Sequence, residues 1–222
     1  MSTLLTINVK NFESQTQNFY FFQQPAIYSG GATVYSNSIF SQSLGNFDAT
    51  GAELTFQVNL QYYAGIQQAN TPPQIGASSG FASASRPIDL TPASDATSVN
   101  NLTTATVSPL GLSVPGNDPT VQAGSFRIAT PSFASPPYFN VGSAVSVNGS
   151  IVLSNFVQAN PMNHTDCQPV LKYYVQTGSY TPGSVMNFTQ SSLNAALADF
   201  TGGYTVCNIS LLANGNWSAQ LQ

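Results

Sequence analysis

The densest grouping of chemically capable side chains is Asn163-His164-Thr165-Asp166-Cys167. An imidazole, a carboxylate and a thiol this close together supply either metal ligands or a nucleophile beside its base. On a strand, the period of two places His164 and Asp166 on one face and turns Cys167 to the other. His164 is the only histidine, so a zinc site would have to find its remaining ligands elsewhere. No metal site is expected. Cys167 and Cys207 are the only thiols, and the reading adopted is a disulfide between them, worth about 3–4 kcal/mol by loop closure. The alternative is a pair of reduced, buried thiols packed as small apolar groups. If the chain is an enzyme, its chemistry falls to His164 and Asp166, with Tyr173 nearby in sequence.

The eight carboxylates are too scattered to form a local acid–base pair, although a pair assembled in space remains open. Asp48, Asp95 and Asp118 stand in turn-like contexts, where bonding to nearby backbone is the ordinary role. Arg86 and Arg127 are the only arginines. Burial of either requires a carboxylate beside it, with Asp89 and Asp118 the nearest in sequence. There is no G-x-S-x-G, no phosphate loop, no C-x-x-C and no H-E-x-x-H, and no cofactor is expected.

Aromatic rings are plentiful, at 14 Phe, 10 Tyr and one Trp. Phe19-Tyr20-Phe21-Phe22, Tyr62-Tyr63, Tyr138-Phe139 and Tyr173-Tyr174 each send neighbouring rings to opposite faces of a strand. One ring of each pair belongs to the core, which frees the other for a surface. Tyr62, Tyr63, Tyr138 and Trp217 are the candidate ligand-binding residues, although Trp217 also suits the core. Phenols and amides hydrogen-bond hydroxyls, while rings stack on sugar faces, so a neutral small molecule or glycan is the matching partner.

Charge is scarce. Only 5% of residues are Asp, Glu, Lys or Arg, and the net charge is −4. Four cations cannot line a phosphate-tracking groove, which excludes nucleic acid, and they cannot make a basic membrane-surface helix either. Charge-rich coiled coils and charge-driven disorder are excluded on the same ground. No stretch is apolar for long enough to form a membrane-spanning helix. The first ten residues lack the basic and apolar segments of a secretory signal, so a cytoplasmic or non-classically secreted protein is expected. A surface of amides and hydroxyls tolerates close self-approach, which makes a homo-oligomer an open expectation. Six N-x-S/T sequons are no more than so much Asn, Ser and Thr produces by chance.

The elements that must hold these residues are strands. Leu54, Phe56, Val58, Leu60 and Tyr62 alternate with Thr55, Gln57, Asn59 and Gln61, and Leu5, Ile7 and Val9 repeat the pattern. Asn18–Phe22 predicts a strand covered on both faces, and Thr33–Phe40 another, entered through a Gly30-Gly31 turn. The best hairpin pairs 204–213 with 216–222 across Asn214-Gly215, where a primed turn needs positive φ at both centres. Ala144–Phe156 and Val170–Gln176 add strands, with Asn148-Gly149 a break in the first. One helix is expected over 190–200, from Leu193, Ala196, Leu197 and Phe200 at helical spacing, with Thr189 as its cap. Residues 69–140 hold ten of the fourteen prolines and predict long loops with short strands at Ser83–Leu90 and Val121–Ala129.

The whole predicts one all-β domain over 1–222, an antiparallel β-sandwich of jelly-roll or immunoglobulin-like type with a loop-rich stretch at 69–140. Its expected function is non-catalytic recognition of a neutral ligand, in the manner of a lectin or a defence protein. Two alternatives stand beside it. One is a pocket enzyme, a cyclase or isomerase working by confinement of an apolar substrate. The other is a self-assembling structural or storage protein.

Overall fold

The computed structural model describes residues 3–29, 32–94 and 98–222. The Gly30-Gly31 turn, Asp95 and the first two residues lie outside them. The chain is nearly all strand and makes three sheets.

The main sheet has nine strands. Eight follow one path: Val185–Met186, Val34–Asn37, Ser150–Gln158, Tyr138–Val147, Leu54–Ala69, Leu4–Asn11, Val206–Leu211 and Trp217–Leu221. The ninth, Ala82–Pro87, pairs with the far half of Leu54–Ala69. The four-stranded sheet runs Ala196–Asp199, Lys172–Thr177, Gln17–Gln23, Phe40–Leu44. The five-stranded sheet runs Ile27–Tyr28, His164–Gln168, Phe126–Ala129, Leu102–Val107, Leu110–Leu112. Pairing is antiparallel except between Leu4–Asn11 and Val206–Leu211, and between Phe126–Ala129 and Leu102–Val107.

The long central strand explains the layering. Its even-numbered residues Leu54, Phe56 and Val58 join Ile7, Val9, Phe19, Phe21 and Tyr173 in one core under the four-stranded sheet. Further along the same face, Ala64 and Ile66 join Phe126, Ile128, Val141 and Cys167 in a second core under the five-stranded sheet. Two small sheets thus share one face of the large one. Along Leu4–Asn11 and Val206–Leu211, alternation of apolar and polar residues places the strand by burying one side and leaving the other more exposed. The four-stranded sheet is covered on both faces: behind it Tyr20, Phe22 and Met186 pack with Tyr174, Tyr180 and Phe188.

A polar node ties the layers together. The Tyr28 hydroxyl lies 2.8 Å from the Asn155 carbonyl and 2.9 Å from Asn155 Oδ1, and accepts the Ser143 N–H at 3.1 Å. Gly142 passes directly beneath it. A Cβ there would stand 2.3 Å from the Asn155 carbonyl oxygen and 2.4 Å from the Tyr28 hydroxyl.

Several local expectations are corrected. The helix is five residues, Phe188–Ser192, capped by Asn187 rather than Thr189, and Ala196–Asp199 is a strand. Ala196 and Ala198 are buried while Leu193 and Leu197 face solvent, so the period is two and not 3.6. Pairing with Lys172–Thr177 overrides a weak helical propensity. Thr33–Phe40 is not one strand: it leaves the main sheet after Asn37 and enters the four-stranded sheet at Phe40. The primed turn lies at Asn148-Gly149, with φ of 45° and 86°, joining Val147 to Ser150. At Asn214-Gly215 only Gly215 is left-handed, and its N–H closes a turn on the Leu212 carbonyl at 2.9 Å, a longer loop.

The expected disulfide is absent. Both cysteines are free, Cys207 buried in the first core and Cys167 in the second. Separate sheets hold them, so loop closure cannot bring their sulfurs together. Burial pushes the Cys167 thiol up to about 12 and the Cys207 thiol up to about 11. At pH 8, a disulfide-exchange reagent is therefore expected to find no reactive thiol in the native protein and both thiols in denaturant. Rapid native reaction would contradict this placement, as would no reaction after unfolding.

Candidate functional site: a cation-free cleft at the hairpin

An open cleft of about 480 Å³ lies where the C-terminal hairpin meets the ends of the two central strands of the four-stranded sheet. Trp217, Leu211 and Gly215 line it from the hairpin, Tyr20, Gln176 and Thr177 from the sheet, and Gln190, Ser191 and Asn194 from the short helix and the turn after it. Glu13 is its single charged residue.

Each wall has a local cause. Trp217 pairs with Leu211 at the end of the hairpin, sets its ring edge-on to Phe19 at 6.0 Å, and donates its indole N–H to the Asn194 carbonyl at 2.8 Å. The ring is thereby fixed while half-buried, at the mouth of the first core. The Asn187 cap sets the direction of the helix and presents Gln190 and Asn194 to solvent. Neither of these side-chain amides has a protein partner among the described residues. Gln176 Oε1 instead accepts the Thr177 N–H at 2.8 Å. Glu13 accepts the side-chain amide of Gln17, and burial raises the Tyr20 phenol although Ser191 hydrogen-bonds it. The cleft thus offers free amides, hydroxyls and a fixed indole, with no cation in its lining.

The other sequence candidates do not converge here. Tyr62 is half-buried on the inner face of the main sheet against the second core, and Tyr63 lies on the opposite face beside Phe156 and Tyr35. Tyr138 starts its strand opposite Ala69. Only Trp217 reaches the cleft. Gln176, Gln190 and Asn194 were missed because nothing local distinguishes them from the chain's many other amides.

His164, Asp166 and Tyr173 are not brought together. His164 is exposed on the five-stranded sheet opposite Ala129. Asp166 is occupied by Arg127, whose Nε and Nη2 reach its two oxygens at 2.6 and 2.7 Å. Arg127 Nη1 also bonds Asp118 at 2.9 Å, one of the two carboxylates nearest in sequence to the arginines; Arg86, by contrast, donates to the Leu112 carbonyl and not to Asp89. Thr120 hydrogen bonds first, and Arg127 second, hold the Asp118 carboxyl below its ordinary range. Tyr173 is buried in the first core, where burial pushes its phenol far up. The space beside Tyr173 and Tyr62 is about 10 Å³, the size of one water molecule. Among the described residues no three His, Cys, Asp or Glu side chains group as metal ligands, and no helix is long and apolar enough to cross a membrane.

Comparison of the chain with protein-family models, curated proteins and solved structures found no match.

Proposed function

We propose that the protein is a non-catalytic binder of a neutral, hydroxyl-rich ligand, a glycan, and that the Trp217 cleft is its binding site. The observation that carries this reading is the pairing of a fixed, half-buried indole with the unpartnered amides of Gln190 and Asn194 across one open cleft. An indole held by packing loses little freedom when a sugar ring stacks on it, and amides that hydrogen-bond water when empty exchange it for hydroxyls. With Glu13 the only charge and no cation, the lining favours a neutral ligand over an acidic one. An open shape suits one end or one face of a glycan.

The test is titration calorimetry against a panel of neutral oligosaccharides, without added metal. Binding by the native protein is expected, with Trp217→Ala weakening it about tenfold or more. Because Trp217 also packs on Phe19, the exposed pair Gln190→Ala/Asn194→Ala serves as a variant that leaves the core alone. It is expected to weaken binding with an unchanged melting temperature. Absence of binding to every neutral sugar, or equal affinity in both variants, would overturn the reading.

A further inference from the structure

The outer face of the main sheet carries a second pattern. Four neighbouring strands place Thr55, Asn8, Asn208 and Gln220 side by side in one register row. All four point outward, because Leu54, Phe56, Ile7, Cys207 and Ile209 of the same strands point into the core. The row is joined by hydrogen bonds: Thr55 Oγ1 donates to Asn8 Oδ1 at 3.1 Å, and Asn8 Nδ2 donates to Asn208 Oδ1 at 2.9 Å. This chain of bonds runs one way. It consumes the carbonyl oxygens and ends at the Asn208 amide N–H₂, which faces Gln220. Neither that N–H₂ nor the Gln220 amide has a protein partner among the described residues.

A groove of about 330 Å³ follows this end of the row, lined by Asn8, Lys10, Glu53, Asn208, Ser210 and Gln220. Its only charges cancel, with Lys10 Nζ 3.4 Å from Glu53 and 4.4 Å above the Phe47 ring.

We infer that this face is a surface for an extended, uncharged polysaccharide laid across the strands. The inference shares its ligand class with the cleft reading and uses different residues. Strands lie about 4.8 Å apart, close to the length of one pyranose unit in an extended chain, so each sugar meets one side chain of the row. The linked amides are already oriented, which lowers the ordering cost of each contact. The groove has no aromatic platform, so each sugar is held weakly and the sum over several units decides binding. Polymers bind here and short oligosaccharides do not. The same hairpin serves both places, Trp217 from its inner side and Gln220 from its outer side, so one protein molecule contacts a glycan at two points.

The experiment is retardation of the native chain in gels containing hydroxyethyl cellulose, glycol chitin or, as an acidic control, polygalacturonate. Retardation by at least one neutral polymer and none by the acidic one is expected. Asn208→Ala/Gln220→Ala is expected to weaken retardation at least about fivefold without changing calorimetric binding of short oligosaccharides. Gln220→Arg, an exposed position with no protein partner, repeats the test where the double variant fails to fold. Trp217→Ala is expected to remain retarded while losing the oligosaccharides. No retardation by any neutral polymer, or equal retardation in the Asn208 and Gln220 variants, would overturn the inference. Loss of oligosaccharide binding alone would overturn only the cleft reading.

Discussion

Gly142→Ala is expected to leave little or no folded protein at ordinary temperature. A Cβ at this position stands 2.3 Å from the Asn155 carbonyl oxygen and 2.7 Å from the Phe156 Cα, both backbone atoms of the paired strand. Backbone cannot swing aside as a flexible side chain can. The methyl also meets the Tyr28 hydroxyl at 2.4 Å, so relief would break the node that joins the five-stranded sheet to the main one. Ordinary overpacking costs about 1–3 kcal/mol. Here a buried N–H and a buried carbonyl lose their partners as well, which brings the expected loss to about 4 kcal/mol or more, a large share of a typical stability of about 5–15 kcal/mol. Gly149→Ala is the control: it is left-handed but has open space around it, so only the conformational cost of about 1 kcal/mol applies. Urea unfolding of the two variants checks the difference. Equal midpoints would refute the close approach at Gly142.

Arg127→Met is expected to cost about 2–4 kcal/mol. The guanidinium is largely buried, at 14% side-chain exposure, and satisfies Asp166 through two bonds and Asp118 through a third. Removal leaves two carboxylates of 15% and 19% exposure beside each other without their cation. The loss therefore comes chiefly from stranded charge, more than from the missing bonds themselves. Its pH dependence follows from Asp118, whose carboxyl is held below the ordinary value. Stability from such a group is present above its unfolded pKa and lost as the pH falls through its folded one. The gap between native and variant should accordingly be widest near neutrality and narrow below about pH 4. Thr120 still donates to Asp118 in the variant, so part of that carboxyl's contribution survives. A gap that stays constant from pH 7 to pH 3 would contradict the charge explanation.

The sheets were legible in the sequence wherever alternation ran uninterrupted. Leu54 to Val58 and Leu5 to Val9 announce which side is buried, and the structure buries that side, whereas Leu60 and Tyr62 are only half-buried where the pairing register shifts. The region 190–200 reads as a helix because Leu193, Ala196, Leu197 and Phe200 fit one locally, while the pairing that makes Ala196–Asp199 a strand comes from another segment, Lys172–Thr177. The two Asn-Gly pairs carry the same turn chemistry. Which one becomes a primed turn depends on how many residues separate the paired strands, and register is a tertiary property. Count alone pairs the cysteines, whereas their fate depends on which sheet each strand joins, the main one for Cys207 and the five-stranded one for Cys167. Trp217 was visible as a rare residue of suitable chemistry. The amides around it were not, because a site assembled from Gln176, Gln190 and Asn194 has no signature in a chain rich in such residues.

The parallel pairing of Leu4–Asn11 with Val206–Leu211 has a consequence for biosynthesis. Synthesis runs from the amino end, so Leu4–Asn11 keeps an open flank until its partner, 200 residues further along at the Asn8–Asn208 bond, has emerged. Until then Ile7 and Val9 lack the cover that Cys207, Ile209 and Leu211 later share with them. Contacts between segments so distant in the chain form slowly. The main sheet is therefore completed only once Val206–Leu211 and Trp217–Leu221 have left the ribosome, and the nascent chain carries an unsealed sticky margin in the meantime.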